Sequence, residues 1–581
     1  MARKLVREAI IEALIAEGVD HVFGLPGGQS VNAITDPIYD HKNELTSVMA
    51  HDERSGAFMA CGYTQMSKKP SMCYGTLGPG FSNLLPGMYE AYRSCWPVIF
   101  MAPSAPTPTF GFNGMQEVPQ LEIVRPLMKW AFRLDMPNKV NWMMRNALSE
   151  ACSGIPGPVY IEIPTEMGGV ECDVPAYEKS TRATDFEPSD ASVEATMKAI
   201  MAAEKPVIIA GHGVHMSQAH AELLEFAELM GVVVASTGQG KAAIAEDHPL
   251  AIGPHGHIGS QWTNEYVDTC DLVFWIGSAM EDLSTHVFTR GRGTGKLICS
   301  NVNPSHMFRC YAPDIALVGD AKLTLAKLTA KAKAMGEHKP YMERANVKAL
   351  LEEKKDWEAA TEAEWESFRG KAPMEVGRAA EELAKHMPDN VMMVPDSGFN
   401  SFFSQAYPNT KLLKAGNNLM HSENYFIGFS LPAAIGASYA TDDPIVSIVG
   451  DGGFHFVMPE VATAVQYKRP IMMVVMDNEA IGWIKYWQKV MCDGRYCDTD
   501  FATPIDFAKV AEACGCQAVT IEKEEDLAGG FEKAFAIQAK GEPVLVHCKV
   551  HWDTNHWGSN YTTDMYKTGG VASRAYAGPR G

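Results

Sequence analysis

The chain is 581 residues long, 46% hydrophobic, and carries a formal net charge of −20 from 70 acidic and 50 basic residues. Such a length buries several cores, so two to four domains are expected, and an acidic balance without any basic run excludes duplex nucleic acid, whose binding relies on clustered Lys and Arg. No apolar run approaches the roughly 20 residues that span a bilayer, and thirteen cysteines, an odd number without zinc-type CxxC pairs, point to reduced thiols and a cytoplasmic protein.

In chain order, "MARKLVREAIIEALIAEGVDHVFG" alternates charged and apolar residues at helical spacing and lacks the continuous apolar core of a signal peptide. A first block of strands and helices follows, with "HVFGLPGG", "PSMCYGTLGPG" and "PVIFMAP" as strands ending in Gly- or Pro-rich loops, and closes near "GPVYIEIP" (157–164). Within it, "MAHDERSGAFMACGY" (49–63) sets one carboxylate, Glu53, ahead of small and apolar residues suited to a buried helix. A polar connector, "CDVPAYEKSTRATDFEPSDAS", separates this block from a second, with "KPVIIAGHGV", "DLVFWIGS" and "GKLICSNVNP" as strands. The charge-rich "LEEKKDWEAATEAEWESFRGK" reads as a solvated helical connector. A third block carries "VMMVPDSG", "PIVSIVGDGG", "PIMMVVMDN" and "EPVLVHCKV". Short buried strands alternating with amphipathic helices predict three α/β domains with doubly wound parallel sheets, at 1–172, 190–335 and 372–553, and a tail or lid over 554–581.

The third block holds the sharpest local signal. "IVSIVGDGG" ends a buried strand on Gly450-Asp451-Gly452-Gly453, and "PIMMVVMDNEA" ends another on Asp477-Asn478, with Asn478 lying 27 positions after Asp451. Both polar groups emerge at the carboxyl ends of parallel strands, where ligands of such sheets sit. A carboxylate, an amide oxygen and the loop carbonyl of Ala480 are hard donors suited to Mg²⁺, and the glycines let backbone N–H groups approach a diphosphate. An ordinary strand–turn–helix with a capping Asp is the alternative for the GDG alone.

"GDGG…MDNEAIG" resembles the diphosphate- and metal-binding motif of thiamin diphosphate enzymes, with Asp477 in place of the motif's first Asn. "FGLPGG", "GTLGPGFSN", "MQEVPQLEIVRPLMKW", "GPHGHIG", "GFSLPAAIGA" and "IGWIKYWQ" are similar, in order and spacing, to acetohydroxyacid (acetolactate) synthases over nearly all of residues 1–550. The resemblance implies an enzyme that decarboxylates a 2-keto acid and transfers the resulting enamine to an acceptor. A simple decarboxylase or a C–C lyase is the alternative, and a cofactor-retaining subunit without turnover is disfavoured by Glu53, Asp451 and Asn478.

The resemblance further implies that Glu53 faces the aminopyrimidine ring of the cofactor and exchanges a proton with its N1′, a task suited to a water-excluded pocket. His51 and Asp52 replace the Arg-His that precedes this glutamate in the family. Asp451, Asn478 and Ala480 would hold Mg²⁺, with Gly450, Gly452 and Gly453 at the diphosphate. Ile427 would wedge the cofactor into its bent shape beside Tyr425, Asn400 and Ser401 would lie over the diphosphate, and Asn83 would order its loop. Gly28, Gln29 and Gln116 would line the substrate side. Trp487 matches a tryptophan that favours larger 2-keto acid acceptors. The synthases' Gly-Ala-Arg-Phe-Asp-Asp-Arg, however, reads "GSAMEDL" (277–283), so both arginines are absent, including the one that holds the acceptor carboxylate. An uncharged or small acceptor such as an aldehyde, or no second 2-keto acid at all, is therefore expected, unless Lys129 or Arg125 supplies the cation. FAD in the middle domain is compatible with "GHG" and "GPHG" and not required by the chemistry. A homodimer or homotetramer with interfacial active sites is implied.

Overall fold

The computed structural model describes residues 2–554, and the expected tail from residue 555 onward lies outside them. It divides into two compact bodies: one runs to Thr184 and includes Gly428–Asp442 and Val457–Ile471, and the other holds the remainder.

The first body is built on a six-stranded sheet in the order Thr46–Met49, His21–Gly24, Ser71–Tyr74, Val98–Ser104, Val159–Pro164, Trp130–Arg133. Every pair is parallel. The chain leaves His21–Gly24 toward one neighbour and returns on its other side, which opens a crevice at the carboxyl ends of these strands. The backbones are tight there, since a Cβ at Gly24 would lie 2.3 Å from the Tyr74 carbonyl oxygen. The first residues differ from the helical reading: Ala2–Leu5 is a strand paired antiparallel with Glu171–Val174, at the start of the expected connector. Local periodicity does not reveal such a pairing, whose partners are nearly 170 positions apart.

The stretch around Glu53 forms the helix Glu53–Ser67, capped by Asp52, whose side chain accepts the Arg54 N–H, and closed by Lys68 in the left-handed region. Its small residues are explained by helix contacts on several sides. A Cβ at Gly62 would fall 2.1 Å from the Ala433 carbonyl oxygen, and Cβ atoms at Gly87 and Gly436 would strike Ala57 and the Met59 carbonyl. Any larger side chain would separate these helices, which is why this helix is buried almost throughout.

The second body contains two sheets. One orders Ala251–Pro254, Val233–Ser236, Pro206–Ala210, Leu272–Ile276, Lys296–Asn301 and Ile315–Val318, all pairs parallel. The other orders Met392–Pro395, Ile445–Gly450, Ile471–Asp477, Val544–Lys549 and Gln517–Ile521. The charge-rich connector forms the helix Ala345–Glu366, and it is more than a solvated link: Val347, Leu350 and Trp365 are buried, and Trp357 stacks on Trp262 with centroids 4.4 Å apart. Its apolar residues are too sparse to outweigh the charges in a composition reading, yet Val347 and Leu350 pack in the cores of the middle domain and Trp365 in the core of the third block. Two stretches of the expected 372–553 domain, including the helices Ser430–Ala437 and Glu460–Gln466, pack within the first body.

Candidate active site

Glu53 is the first residue of its helix and only 7% exposed. Asn83 donates its amide N–H to Oε2 at 3.0 Å. Two glycines of the neighbouring loop make room for the carboxylate: a Cβ at Gly80 would lie 2.8 Å from Oε1, and one at Gly75 would lie 3.2 Å from Cγ. Cys73 lies at the same sheet edge, its thiol pushed well up by burial and by the Glu53 charge. His51 turns elsewhere, donating its N–H to Glu460 at 3.1 Å and pairing its ring with Thr463 at 2.9 Å.

The other predicted residues of this body gather around the same loops. Gln116 has φ +62°, and its carbonyl is so close to Gly78 that a Cβ there would stand 2.4 Å away. Gly27 packs on Thr76, which also touches Gly80, so the exposed Gly28 and half-buried Gln29 begin a short helix at the rim of the Glu53 pocket. Lys129 is committed to the carbonyls of Glu150 and Ser153.

In the second body, Asp451 begins the helix Asp451–His455 directly after the strand Ile445–Gly450, and Asn478 follows the adjacent strand. The Ala480 N–H donates to Asp451 Oδ2 at 3.0 Å and to Asn478 Oδ1 at 3.1 Å, so the two oxygens converge on one point. Asp477 accepts from His547 Nε2 at 2.7 Å and from Lys549 Nζ at 2.5 Å. Burial, and then the charge of Asp477, pushes Asp451 up to about 8. Burial would also raise Asp477, but its hydrogen bonds from His547 and Lys549 outweigh that and hold it at about 2. Two acids this close leave Asp451 short of a counter-charge, and a divalent cation fits that donor set. A Cβ at Gly452 would meet Ile427 Cδ1 at 3.7 Å, ordinary van der Waals contact, so this glycine is not required by close approach of the chain to itself. Gly453 serves the fold, since a Cβ there would lie 2.8 Å from Asp396 Oδ1.

Ile427 thus stands at the turn. Tyr425 lies against His421 and Trp483, with centroids 4.5 and 5.7 Å away, and Trp487 is 5.7 Å from Trp483. Asn400 and Ser401 are placed differently from a diphosphate clasp. Asn400 donates to the carbonyls of Asp396 (3.0 Å) and Ile448 (3.2 Å), and Ser401 is buried and accepts from Gln405 (3.2 Å). Asn400 thus ties the loop to the sheet, while Ser401 is bonded at the end of its own helix. The glycines of "GHG" and "GPHG" approach the chain's own backbone: Cβ atoms at Gly211, Gly213 and Gly256 would lie 2.5 Å from Gly277 O, 2.7 Å from Gly277 Cα and 2.2 Å from Leu283 O. They are therefore no argument for FAD. Sequence reasoning missed His547, Lys549 and Glu423; His547 and Lys549 sit on a strand some 70 positions beyond their partner, where only an alternation of polar residues in "VLVHCKV" marks them.

A buried acid beside a strand-switch crevice in one body, and an Asp/Asn pair ending adjacent strands in another, fit the class that the resemblance implies, the thiamin diphosphate enzymes. Models of thiamine pyrophosphate enzymes, the same cofactor, match throughout: the N-terminal TPP binding domain at residues 5–123, the central domain at 193–328 and the C-terminal TPP binding domain at 396–548. The chain is 30% identical to the probable acetolactate synthase large subunit of Methanocaldococcus jannaschii, over 93% of this chain and 90% of that protein. It is 27% identical to the acetolactate synthase isozyme 2 large subunit of Escherichia coli, over 94% and 96% of the two chains. The chain belongs to this family of thiamin diphosphate-dependent, acetolactate synthase-like enzymes.

Proposed function

We propose that the protein decarboxylates a 2-keto acid and ligates the retained fragment to an uncharged acceptor such as an aldehyde, with Mg²⁺ as the diphosphate's counter-ion. The observation that carries the reading is the convergence of Asp451 and Asn478 oxygens on one N–H at the ends of adjacent strands. When bound, thiamin diphosphate supplies a carbon nucleophile. Asp451, Asn478 and the Ala480 carbonyl hold the metal, while Gly450 and Gly452 leave space for the diphosphate and Ile427 packs beside the turn. Glu53 holds a proton at N1′ of the aminopyrimidine, with Asn83 fixing its carboxylate. Gly28, Gln29 and Gln116 face substrate from the rim.

In the assembled enzyme, a homodimer or homotetramer, Glu53 of one subunit serves the cofactor held by Asp451 of another. The domain limits follow the sequence reading, and the enzyme acts in the cytoplasm. The acceptor reading rests on "GSAMEDL", which has no arginine to hold a carboxylate, and on Lys129, which is engaged elsewhere. The test supplies pyruvate with Mg²⁺ and thiamin diphosphate, follows CO₂ release, and then offers equal 2-ketobutyrate and aldehyde. Aldehyde adducts are expected to dominate. Efficient formation of acetolactate or acetohydroxybutyrate with little adduct would return the chain to plain synthase chemistry.

A further inference from the structure

The segment without arginines, 277–283, is met by an acid from the third block. Glu423 Oε1 accepts the N–H of Leu283 at 3.1 Å and of Ser284 at 3.2 Å. Leu283 is the position of the second arginine in the resembling synthases, so this chain presents a carboxyl group where they present a cation. Glu281 and Asp282 stand nearby, and with burial they favour the neutral form of Glu423. Two residues on, Tyr425 is half-buried with its hydroxyl enclosed, its backbone at φ +49°, and that hydroxyl has no hydrogen-bond partner among the described residues. The Nε1–H of Trp483, whose ring packs on Tyr425, also has none. Tyr425 follows Glu423 by two residues along the chain, and Ile427, two residues further, borders the Gly452 turn.

A buried donor without an acceptor is costly, and two of them, one two residues along the chain from a carboxyl group, call for a ligand that fills both roles. An ammonium group offers donors only and leaves the O–H of Tyr425 and the Nε1–H of Trp483 without an acceptor. A carboxylate meets the charges of Glu281 and Asp282 with repulsion, the same charges that, with burial, keep Glu423 neutral. A hydroxyl group both donates and accepts.

Resting on the proposed carboligase reading, we propose that Glu423 and Tyr425 determine acceptor specificity, selecting a hydroxylated, uncharged aldehyde. The ligand hydroxyl donates to the free oxygen of Glu423 and accepts from Tyr425 or Trp483. No covalent step is assigned to these residues; they position the acceptor.

The experiment compares glyceraldehyde with propanal as acceptors for the pyruvate-derived fragment, in the full-length holoenzyme, alongside saturation-transfer NMR of each aldehyde with the protein. A preference for glyceraldehyde of about tenfold or more in kcat/KM and a stronger NMR response to it are expected. Y425F and E423Q are each expected to bring the ratio toward one, since one removes the hydroxyl and the other replaces the accepting oxygen by a donor. Y425F keeps the test valid if E423Q disturbs the 281–285 turn. A ratio near one in the natural protein, or a ratio unchanged in both variants, overturns the proposal. If no aldehyde is ligated, the carboligase reading has failed, and the NMR response decides the specificity site alone: equal responses to the two aldehydes overturn it, a stronger glyceraldehyde response lost in Y425F supports it.

Discussion

Glu53 and Asp451 occupy equivalent places, the first residue of a helix that follows a parallel strand, yet their surroundings differ in kind. Each lies at the positive end of a helix, so the peptide dipole favours a negative charge at both and does not distinguish them. The side chains do. Glu53 is enclosed by glycine backbone and takes its hydrogen bond from an uncharged amide, an environment in which a carboxyl can exchange a proton with a neutral ring. Asp451 faces a second acid whose charge is held by His547 and Lys549, an environment that lacks a cation. The same helix position is thus set for proton exchange in one body and for a metal in the other.

The largest expected effect breaks the first half of that contrast. Glu53→Gln keeps the shape but carries no exchangeable acid, so turnover should fall about 10³-fold, with cofactor affinity by calorimetry nearly unchanged. Loss of hydrogen–deuterium exchange at C2 of the bound cofactor, read by NMR, locates the defect; exchange at the natural rate would remove Glu53 from the proton path. Asp451→Ala addresses the other half. Calorimetry should show thiamin diphosphate binding in Mg²⁺ weakened by about 100-fold, and unchanged affinity would place the metal elsewhere.

Glycines sharpen the contrast at lower amplitude. Gly80→Ala puts a methyl group 2.8 Å from Glu53 Oε1, so it should displace the carboxylate and lower turnover by about tenfold without touching Mg²⁺ affinity. Gly452→Ala meets nothing closer than 3.7 Å. The cofactor-free protein should melt at the same temperature or higher, because Ala is favoured over Gly in a helix by about 0.5–1 kcal/mol, while cofactor binding weakens. Equal behaviour of the two variants would mean that both pockets are shaped by packing alone.

These sites were unequally legible in the sequence. Asp451 and Asn478 announce themselves because glycine punctuation and strand ends are local, and a fixed spacing carries them to neighbouring positions on one edge. Glu53 is visible only through the small residues that follow it, and those turn out to serve helix packing at Ala433 and Met59. The alternation of buried strands and helices carries the three parallel sheets, whereas the Ala2–Leu5 pairing and the buried face of Ala345–Glu366 depend on partners far along the chain. Asn400 lies near Gly450, but its amide N–H groups are spent on the carbonyls of Asp396 and Ile448, and Ser401 accepts from Gln405. Glu423 gave no signal, since its meaning lies in the two N–H groups it meets 140 and 139 positions away.

The smallest expected effect concerns Asp477, the residue that makes the Asp451 site acidic where the resembling motif has an amide. Asp477→Asn is nearly isosteric. It removes one negative charge near the metal site, and at an effective dielectric of 20 a unit charge about 5 Å away is worth roughly 3 kcal/mol. Most of that is already cancelled by Lys549, hydrogen-bonded with His547 to the same oxygen, and the ammonium group would remain to oppose Mg²⁺. The expected net result is Mg²⁺ affinity reduced by about tenfold, measured by titrating the metal in the presence of thiamin diphosphate, with the fold retained in a thermal melt. A fall as large as that of Asp451→Ala would make Asp477 a ligand in its own right and the site a two-carboxylate centre. A gain in affinity would show that repulsion between the two acids costs more than the attraction supplies, and the charge cluster would then belong to the sheet edge and not to the metal.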